Sequence, residues 1–211
     1  MVIFSFYRTR QLPIRRGDRY EKCVLKNIES FCFYIHWVQK KLKFERKHKM
    51  KLDCGFTKEN NWFRFRTGGI IIHNEKILFV KSKIGGYYYM IGGGVHLGEN
   101  SVDCIEREIF EETGMQVKVN YLSVICENFF KGHGGSIDGL DCHTIEFYYR
   151  VNITDEQQKQ CRQLTDDGEQ LVWVDICEVK NSFVKPTFIT DKIVEIMNSK
   201  NIIHVIEDRD R

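Results

Sequence analysis

The stretch GGVHLGENSVDCIEREIFEETGM, residues Gly93–Met115, determines which fold we expect for this chain of 211 residues. It begins with a glycine-rich turn and continues into a short acidic segment. Asn100 is a favourable N-cap residue with Asp103 at the third helical position, so a helix is predicted to begin there. Gly114 is predicted to end it, because glycine readily adopts the left-handed conformation found at helix C-termini.

This predicted helix has an apolar face with acidic residues beside it. The residues that share the apolar face at helical spacing are Val102, Ile105 and Ile109. Glu108, Glu111 and Glu112 lie on adjoining turns, where like charges one turn apart destabilise a helix. Their oxygen atoms suit a hard divalent cation, which would offset the repulsion and bind phosphate oxygens. The pattern therefore predicts a site for Mg²⁺ or Mn²⁺.

The spacing of these residues resembles the Nudix box, the signature of the Nudix hydrolase family. Gly93 is followed after five residues by Glu99, and after seven more by REIFEETGM at Arg107–Met115, so every fixed position of the box is filled. The alternative is a plain amphipathic helix with a solvated charged face. The resemblance extends over about residues 62–199, with only the box being specific. It implies an α/β fold, an α/β/α sandwich with a mixed β-sheet.

The resemblance also implies a role for each residue of the box. The expected metal ligands are Glu108, Glu111, Glu112 and the backbone carbonyl of Gly92. Arg107 would pair with Glu99 and hold the carboxylates in place. The expected catalytic residues are Glu108, Arg107 and Glu111. The expected structural residues are Gly93, Glu99 and Gly114.

Nudix enzymes hydrolyse a nucleoside diphosphate linked to another group, so the expected reaction is the attack of water on a pyrophosphate. The box does not distinguish among a nucleoside triphosphate, ADP-ribose, a dinucleoside polyphosphate and a nucleotide sugar. Glu108 or a glutamate outside the box would be the base. The alternative is a nucleotide-sensing protein that has the Nudix fold and does not hydrolyse its ligand.

Four residues outside the box are weaker candidates for substrate contacts. Glu127 and Glu146 lie in predicted strands, and their alternative interpretation is as solvated strand residues. Tyr89 and Phe129 are candidates to stack against a nucleobase, with core packing as the alternative. The histidines predicted to flank a glycine-rich loop, as surface residues or phosphate contacts, are His133 and His143.

Charge divides the chain into a basic leader and a larger domain. Residues 1–49 carry 13 Lys and Arg against 4 Asp and Glu, a net charge of +9, and residues 50–211 carry 19 against 25, a net charge of −6. A basic amphipathic helix in the leader would suit a membrane surface or nucleic acid. The alternatives are a helix packed on the domain, a poorly ordered extension, and translation that begins at Met50. We predict a Nudix domain over residues 60–211.

Cysteine usage and hydropathy bear on location and partners. The 8 cysteines form no CxxC pair, which disfavours structural zinc and a disulfide framework and suits a reducing compartment. No segment reads as a signal peptide or a membrane span. We expect a cytoplasmic protein whose partner is a small nucleotide derivative rather than nucleic acid, and a homodimer is compatible with this pattern.

Hydrophobic periodicity predicts the remaining elements. Strands are predicted over residues 62–66, 69–73, 76–80, 87–91, 115–119, 121–130, 144–151, 170–174 and 202–206. A second helix is predicted over residues 187–199, a loop over 131–142 and a polar surface segment over 155–167. Strands on both sides of one helix, followed by a late helix, indicate a mixed sheet between helices.

Overall fold

The computed structural model describes residues 52–208, so the predicted leader at residues 1–49 lies outside the described residues. Eight strands occur in this range: β1 (Gly55–Lys58), β2 (Asn61–His73), β3 (Lys76–Lys81), β4 (Tyr88–Tyr89), β5 (Tyr121–Lys131), β6 (Asp141–Asn152), β7 (Gln170–Asp175) and β8 (Ile203–Asp208). The helices are α1 (Ser101–Thr113), α2 (Asp155–Gln160), α3 (Ile176–Val179) and α4 (Phe188–Asn198), with a 3₁₀ turn at Gly135–Ile137.

The strands form one mixed sheet in the order β4-β3-β2-β6-β5-β8, with β1 beside β2 and β7 beside β3. The pairs β2–β6 and β5–β8 are parallel, and the other pairs are antiparallel. The long strand β2 is central because it pairs with β1, β3 and β6. Its parallel register with β6 extends from Asn61 opposite Asp141 to Ile72 opposite Asn152.

Alternate residues of β2 point to opposite faces of the sheet and produce two cores. Ile71 packs with Ile105 and Ile109 of α1 on one face. Ile70 and Ile72 pack on the other face in the cluster that contains the α4 residues Ile189, Ile193 and Ile196. The predicted α/β/α sandwich is therefore confirmed. We call these two sides the α1 face and the α4 face.

Several predicted elements need correction. The predicted strands 62–66 and 69–73 are one continuous strand, β2, and the strand predicted over 87–91 is reduced to β4. Residues 115–119 are not a strand, because Met115 and Val117 alternate into the core beside α1 without a ladder partner in the described residues. The polar segment 155–167 contains α2, which Thr154 begins through a capping box with Gln157.

Among residues 52–208, no helix has both the length and the apolar character required to cross a bilayer.

Candidate active site

Helix α1 begins and ends where its sequence predicts. The Asn100 side chain accepts a hydrogen bond from the backbone N–H of Asp103 at 2.9 Å. Gly114 adopts φ 78° and its N–H donates to the carbonyl of Phe110, which is a left-handed C-terminal cap. The predicted apolar face is partly wrong, because Ile105 and Ile109 are fully buried whereas Val102 is 37% exposed. The two isoleucines pack α1 on the sheet, together with the buried Cys104, whose Sγ atom lies 3.2 Å from the Thr67 hydroxyl of β2.

Arg107 is the centre of an ion-pair network on α1. Its Nε and Nη2 atoms donate to the two carboxylate oxygens of Glu99 at 2.8 and 2.9 Å, a bidentate pair. Its Nη1 atom donates to Glu108 at 2.6 Å and to Glu111 at 2.9 Å. Burial would raise the pKa of Glu99, but hydrogen bonds from Arg107 and the His96 backbone outweigh burial and lower the pKa to about 2. The expected pairing of Arg107 with Glu99 is confirmed.

The glycine turn before α1 brings backbone against the acidic side chains. Thr67 of β2 donates its N–H to the carbonyl of Gly93 at 2.9 Å. A Cβ atom on Gly92 would lie 2.0 Å from the carbonyl oxygen of Thr67, and one on Gly93 would lie 2.4 Å from the Glu108 carboxylate. The backbone of β2 excludes a side chain at Gly92, whereas a side chain at Gly93 would displace the Glu108 carboxylate, which lies directly against the turn.

Glu112 lies among other carboxylates. Burial raises its pKa to about 7, with further contributions from the negative charges of Glu108, Asp167, Asp166 and Glu169. A carboxylate in this environment is stabilised by protonation or by a cation. The excess of negative charge predicted for this face of α1 is therefore present.

Glu169 was not singled out by the sequence patterns. It directly precedes β7, and the pairing of β7 with β3 brings it to the box. Its carboxylate accepts hydrogen bonds from the Tyr89 hydroxyl and from the backbone N–H of Lys83. Burial, reinforced by the contact with Glu169, raises the pKa of Tyr89. The run Asp166-Asp167-Gly168-Glu169 was the available signal, because an acidic turn before a strand is a plausible source of metal ligands.

The donor set fits a hard divalent cation. Glu108, Glu112 and Glu169 supply carboxylate oxygens, the ligand type that Mg²⁺ and Mn²⁺ prefer. In residues 52–208, however, no three His, Cys, Asp or Glu side chains already converge as a metal site. Arg107 binds oxygens of Glu108 and Glu111, so these carboxylates would need to reorient toward a cation.

Two outer glutamates occupy different environments. Glu146 is 7% exposed and accepts hydrogen bonds from Asn128, Thr144 and the Tyr148 hydroxyl. Tyr148 packs on Phe188 of α4, so Glu146 lies on the α4 face, opposite α1. Glu146 is therefore buried and not a solvated strand residue.

Glu127 on β5 pairs with His204 of β8 at 2.8 Å and is only partly exposed. Tyr89 lies beside the box through its contact with Glu169, and its ring centroid is 6.2 Å from that of Tyr87. Phe129 is elsewhere, stacked on His143 with ring centroids 4.3 Å apart. His143 lies in β6 and not in a loop. The structure thus brings Tyr89 to the box and places Phe129 in a separate aromatic group.

Comparisons with known proteins agree with this geometry. A sequence model of the NUDIX domain matches residues 63–191. The MutT protein of Bacillus halodurans superposes with a TM-score of 0.54 at 19% identity, over 70% of this chain and 92% of its own. A NUDIX hydrolase of Nitrosomonas europaea superposes with a TM-score of 0.50 at 15% identity, over 69% and 79%. No curated protein matches the sequence. At these identities the structural likeness concerns the fold.

Proposed function

The chain belongs to the Nudix hydrolase family and is an enzyme of the pyrophosphohydrolase type, and from that premise we propose that it uses Mg²⁺ or Mn²⁺ to cleave a nucleoside diphosphate derivative. The observation that carries this proposal is the crowding of Glu108, Glu112 and Glu169 beside a glycine turn whose backbone lies against the Glu108 carboxylate. The candidate substrates are a nucleoside triphosphate, ADP-ribose, a dinucleoside polyphosphate and a nucleotide sugar. A cytoplasmic location and a homodimer stay predictions.

The proposed ligands of the cation are Glu108, Glu111 and Glu112, with the carbonyl oxygen of Gly92. When bound, the cation would polarise the phosphate and lower the pKa of a water molecule. Glu169 is a further candidate, because its carboxylate contributes to the negative field at Glu112. Tyr89 donates to Glu169 and would hold that carboxylate in a fixed direction.

Arg107 would position the carboxylates rather than contact the substrate. Its guanidinium binds both oxygens of Glu99 and one oxygen each of Glu108 and Glu111. A planar guanidinium fixes such groups at defined distances, which a lysine could not do. Arg107→Lys should therefore lower turnover, with a smaller effect on KM.

Two carboxylates are candidates for the base that accepts the proton of the attacking water. Glu108 lies against Gly93 at the turn, and Glu169 lies outside the box, held by Tyr89 and Lys83. A base must reach the water while the other carboxylates hold the cation. Glu108→Gln and Glu169→Gln, compared over a pH profile, would identify the base as the residue whose loss removes the fall in rate at acidic pH.

The decisive experiment is hydrolysis across a panel of nucleoside diphosphate derivatives with Mg²⁺, with Mn²⁺ and with a chelator. We expect release of a nucleoside monophosphate or of pyrophosphate that requires the metal. Stabilisation of the fold by a nucleotide, without hydrolysis of any compound in the panel, would instead favour the nucleotide-sensing alternative. The ion pairs of Arg107 with Glu108 and Glu111 would then explain why these carboxylates do not bind a cation.

A further inference from the structure

A chain of ion pairs connects the Arg107 network to strand β2. Asp53 binds Arg64 of β2 through its Oδ2 atom at 2.5 Å, and its Oδ1 atom lies 3.6 Å from Nε2 of His96. The Nδ1 atom of His96 lies 3.4 Å from Oε2 of Glu99. Glu99 in turn binds Arg107. The network around Arg107 therefore continues through two residues, Asp53 and His96, that are not fixed positions of the box.

The backbone fixes Asp53 beside His96. The two residues are partners in an antiparallel bridge, and the two backbone hydrogen bonds that flank it are 2.7 and 2.8 Å long. Directly opposed residues of such a bridge place their side chains on the same face, close enough to interact. Asp53 precedes residues 63–191, the region that the NUDIX sequence model matches. A segment outside that region thus supplies a carboxylate to the surroundings of the box.

Arg64 contacts the glycine turn as well as Asp53. A Cβ atom on Gly94 would lie 2.5 Å from the Nε and Nη2 atoms of Arg64, whereas one on Gly93 would lie against the Glu108 carboxylate. The Nε atom of Arg64 is buried and has no hydrogen-bond partner in the part of the chain that the structure describes. Arg64 therefore packs on the turn through one edge of its guanidinium and holds Asp53 through another.

His96 lies between two carboxylates. One ring nitrogen faces Asp53 and the other faces Glu99, and the side chain is only 18% exposed. A neutral imidazole donates from one nitrogen, whereas an imidazolium can donate from both. The imidazolium would therefore offset the repulsion between Asp53 and Glu99. The backbone N–H of His96 also donates to Glu99 at 3.1 Å, so this residue acts on the direction of the Glu99 carboxylate in two ways.

The direction of Glu99 matters for the proposed metal ligands. Glu99 binds two nitrogen atoms of Arg107, and the third nitrogen of that guanidinium binds Glu108 and Glu111. A guanidinium is planar and rigid, so a rotation at one of its edges moves the donors at the other. A displacement of Glu99 would therefore be transmitted to the carboxylates of α1.

We propose that His96 and Asp53 are positioning residues for the hydrolysis. They fix Glu99, which through Arg107 orients the carboxylates that bind the cation. Arg64 holds Asp53 in place from β2. This inference rests on the proposed function in taking the carboxylates of α1 to be metal ligands.

The first test measures the affinity of the full chain for Mn²⁺ without substrate, from the electron paramagnetic resonance signal of unbound Mn²⁺. His96→Gln and Asp53→Asn should each weaken that affinity by about ten-fold, because the partners of metal ligands contribute on this scale. Asp53→Glu keeps the charge and should retain most of the affinity. Asp175→Asn is the matched control and should bind normally, because Asp175 pairs with Lys76 at the end of β7 away from the box.

The second test measures kcat and KM for metal-dependent hydrolysis. His96→Gln and Asp53→Asn should lower kcat with little change in KM, because neither residue contacts the substrate. In a Glu99→Gln background, His96→Gln should lower kcat by less than about two-fold, because residues that act through one group are not additive. A rise in KM with kcat unchanged, or an equal loss from His96→Gln in both backgrounds, overturns the proposal.

Thermal unfolding checks that each variant is folded at the assay temperature. If Asp53→Asn is not folded, His96→Gln decides the test, because its backbone N–H can still bind Glu99. Wild-type Mn²⁺ affinity in His96→Gln overturns the proposal, as does a weakening in Asp175→Asn equal to that in His96→Gln. If the wild type binds Mn²⁺ and hydrolyses no compound of the panel, the proposed function fails and the Mn²⁺ affinities still decide this inference.

Discussion

A glutamate on each face of the sheet is removed from solvent, and the two glutamates differ in how their negative charge is balanced. On the α4 face, Glu146 accepts hydrogen bonds from Asn128, Thr144 and Tyr148. On the α1 face, other carboxylates surround Glu112 and raise its pKa to about 7. A satisfied carboxylate stabilises the fold, whereas a crowded one stores repulsion that a cation can relieve. Burial alone would not separate these two roles.

The largest expected effect is on turnover and concerns Glu112, which lies among other carboxylates. Glu112→Gln removes one charge from the proposed metal site while keeping the shape of the side chain. We expect metal-dependent turnover to fall about a hundred-fold or more, because charge stabilisation at phosphorus depends on the cation. Steady-state hydrolysis at saturating Mg²⁺ measures this, and thermal unfolding checks the fold. Unchanged turnover would contradict the metal-site assignment.

The next largest effect is on the free energy of unfolding and concerns Glu146, whose carboxylate is fully hydrogen-bonded. Glu146→Leu leaves Asn128, Thr144 and Tyr148 without their buried acceptor, so the free energy of unfolding should fall by about 2–4 kcal/mol. The matched control is Glu127→Leu, which removes a partly exposed ion pair with His204 and should cost less than about 1 kcal/mol. Urea denaturation gives both values. Equal losses would show that the hydrogen bonds of Glu146 are not what stabilises this face.

KM in the Glu146 and Glu127 variants would separately test the prediction that these residues contact substrate.

How much of this comparison could be read from the sequence depends on how local each feature is. The caps of α1 at Asn100 and Gly114 are local chemistry and were predicted, as was the ion pair of Arg107 with Glu99 from the resemblance. The approach of Glu169 to Glu112 depends on the register between β3 and β7, and residue spacing does not encode it.

The environment of Glu146 was equally hidden. A glutamate in a strand is usually solvated, and only the pairing of β5 with β6 brings Asn128 beside Thr144 and Glu146. The contact of Phe129 with His143 depends on strand pairing in the same way. The two rings come from β5 and β6, so no single stretch of sequence reveals their stacking. Local signals thus predict helices and box residues, and long-range registers decide which side chains meet.

The third prediction concerns the free energy of unfolding at acidic pH and the contribution that the Glu99 carboxylate makes to it. The pKa of Glu99 is lowered from 4.5 to about 2 by its hydrogen bonds, so its contribution is complete above about pH 4.5 and lost as pH falls toward 2. Glu99→Gln should therefore reduce the free energy of unfolding at pH 7 by about 1–2 kcal/mol and flatten its decline below pH 4.5. Denaturation from pH 3 to pH 7 measures both. A variant as acid-sensitive as the wild type would contradict this account.

The smallest expected effect concerns Glu112, whose contribution to the free energy of unfolding falls as pH rises, whereas that of Glu99 increases. Its folded pKa of about 7 lies above the usual 4.5, so the folded state binds the proton more tightly. Without metal, the free energy of unfolding should fall as pH rises from 4.5 to 7 and then become level, with a change on the order of 1 kcal/mol because the group is partly exposed. Glu112→Gln should remove this decline. Mg²⁺ should restore stability above pH 7 in the wild type and less in the variant, because the cation binds the ionised carboxylate. Denaturation at several pH values, with chelator and with Mg²⁺, measures these changes. Parallel curves for the wild type and the variant would contradict the proposal that Glu112 and the carboxylates around it repel each other in the folded state.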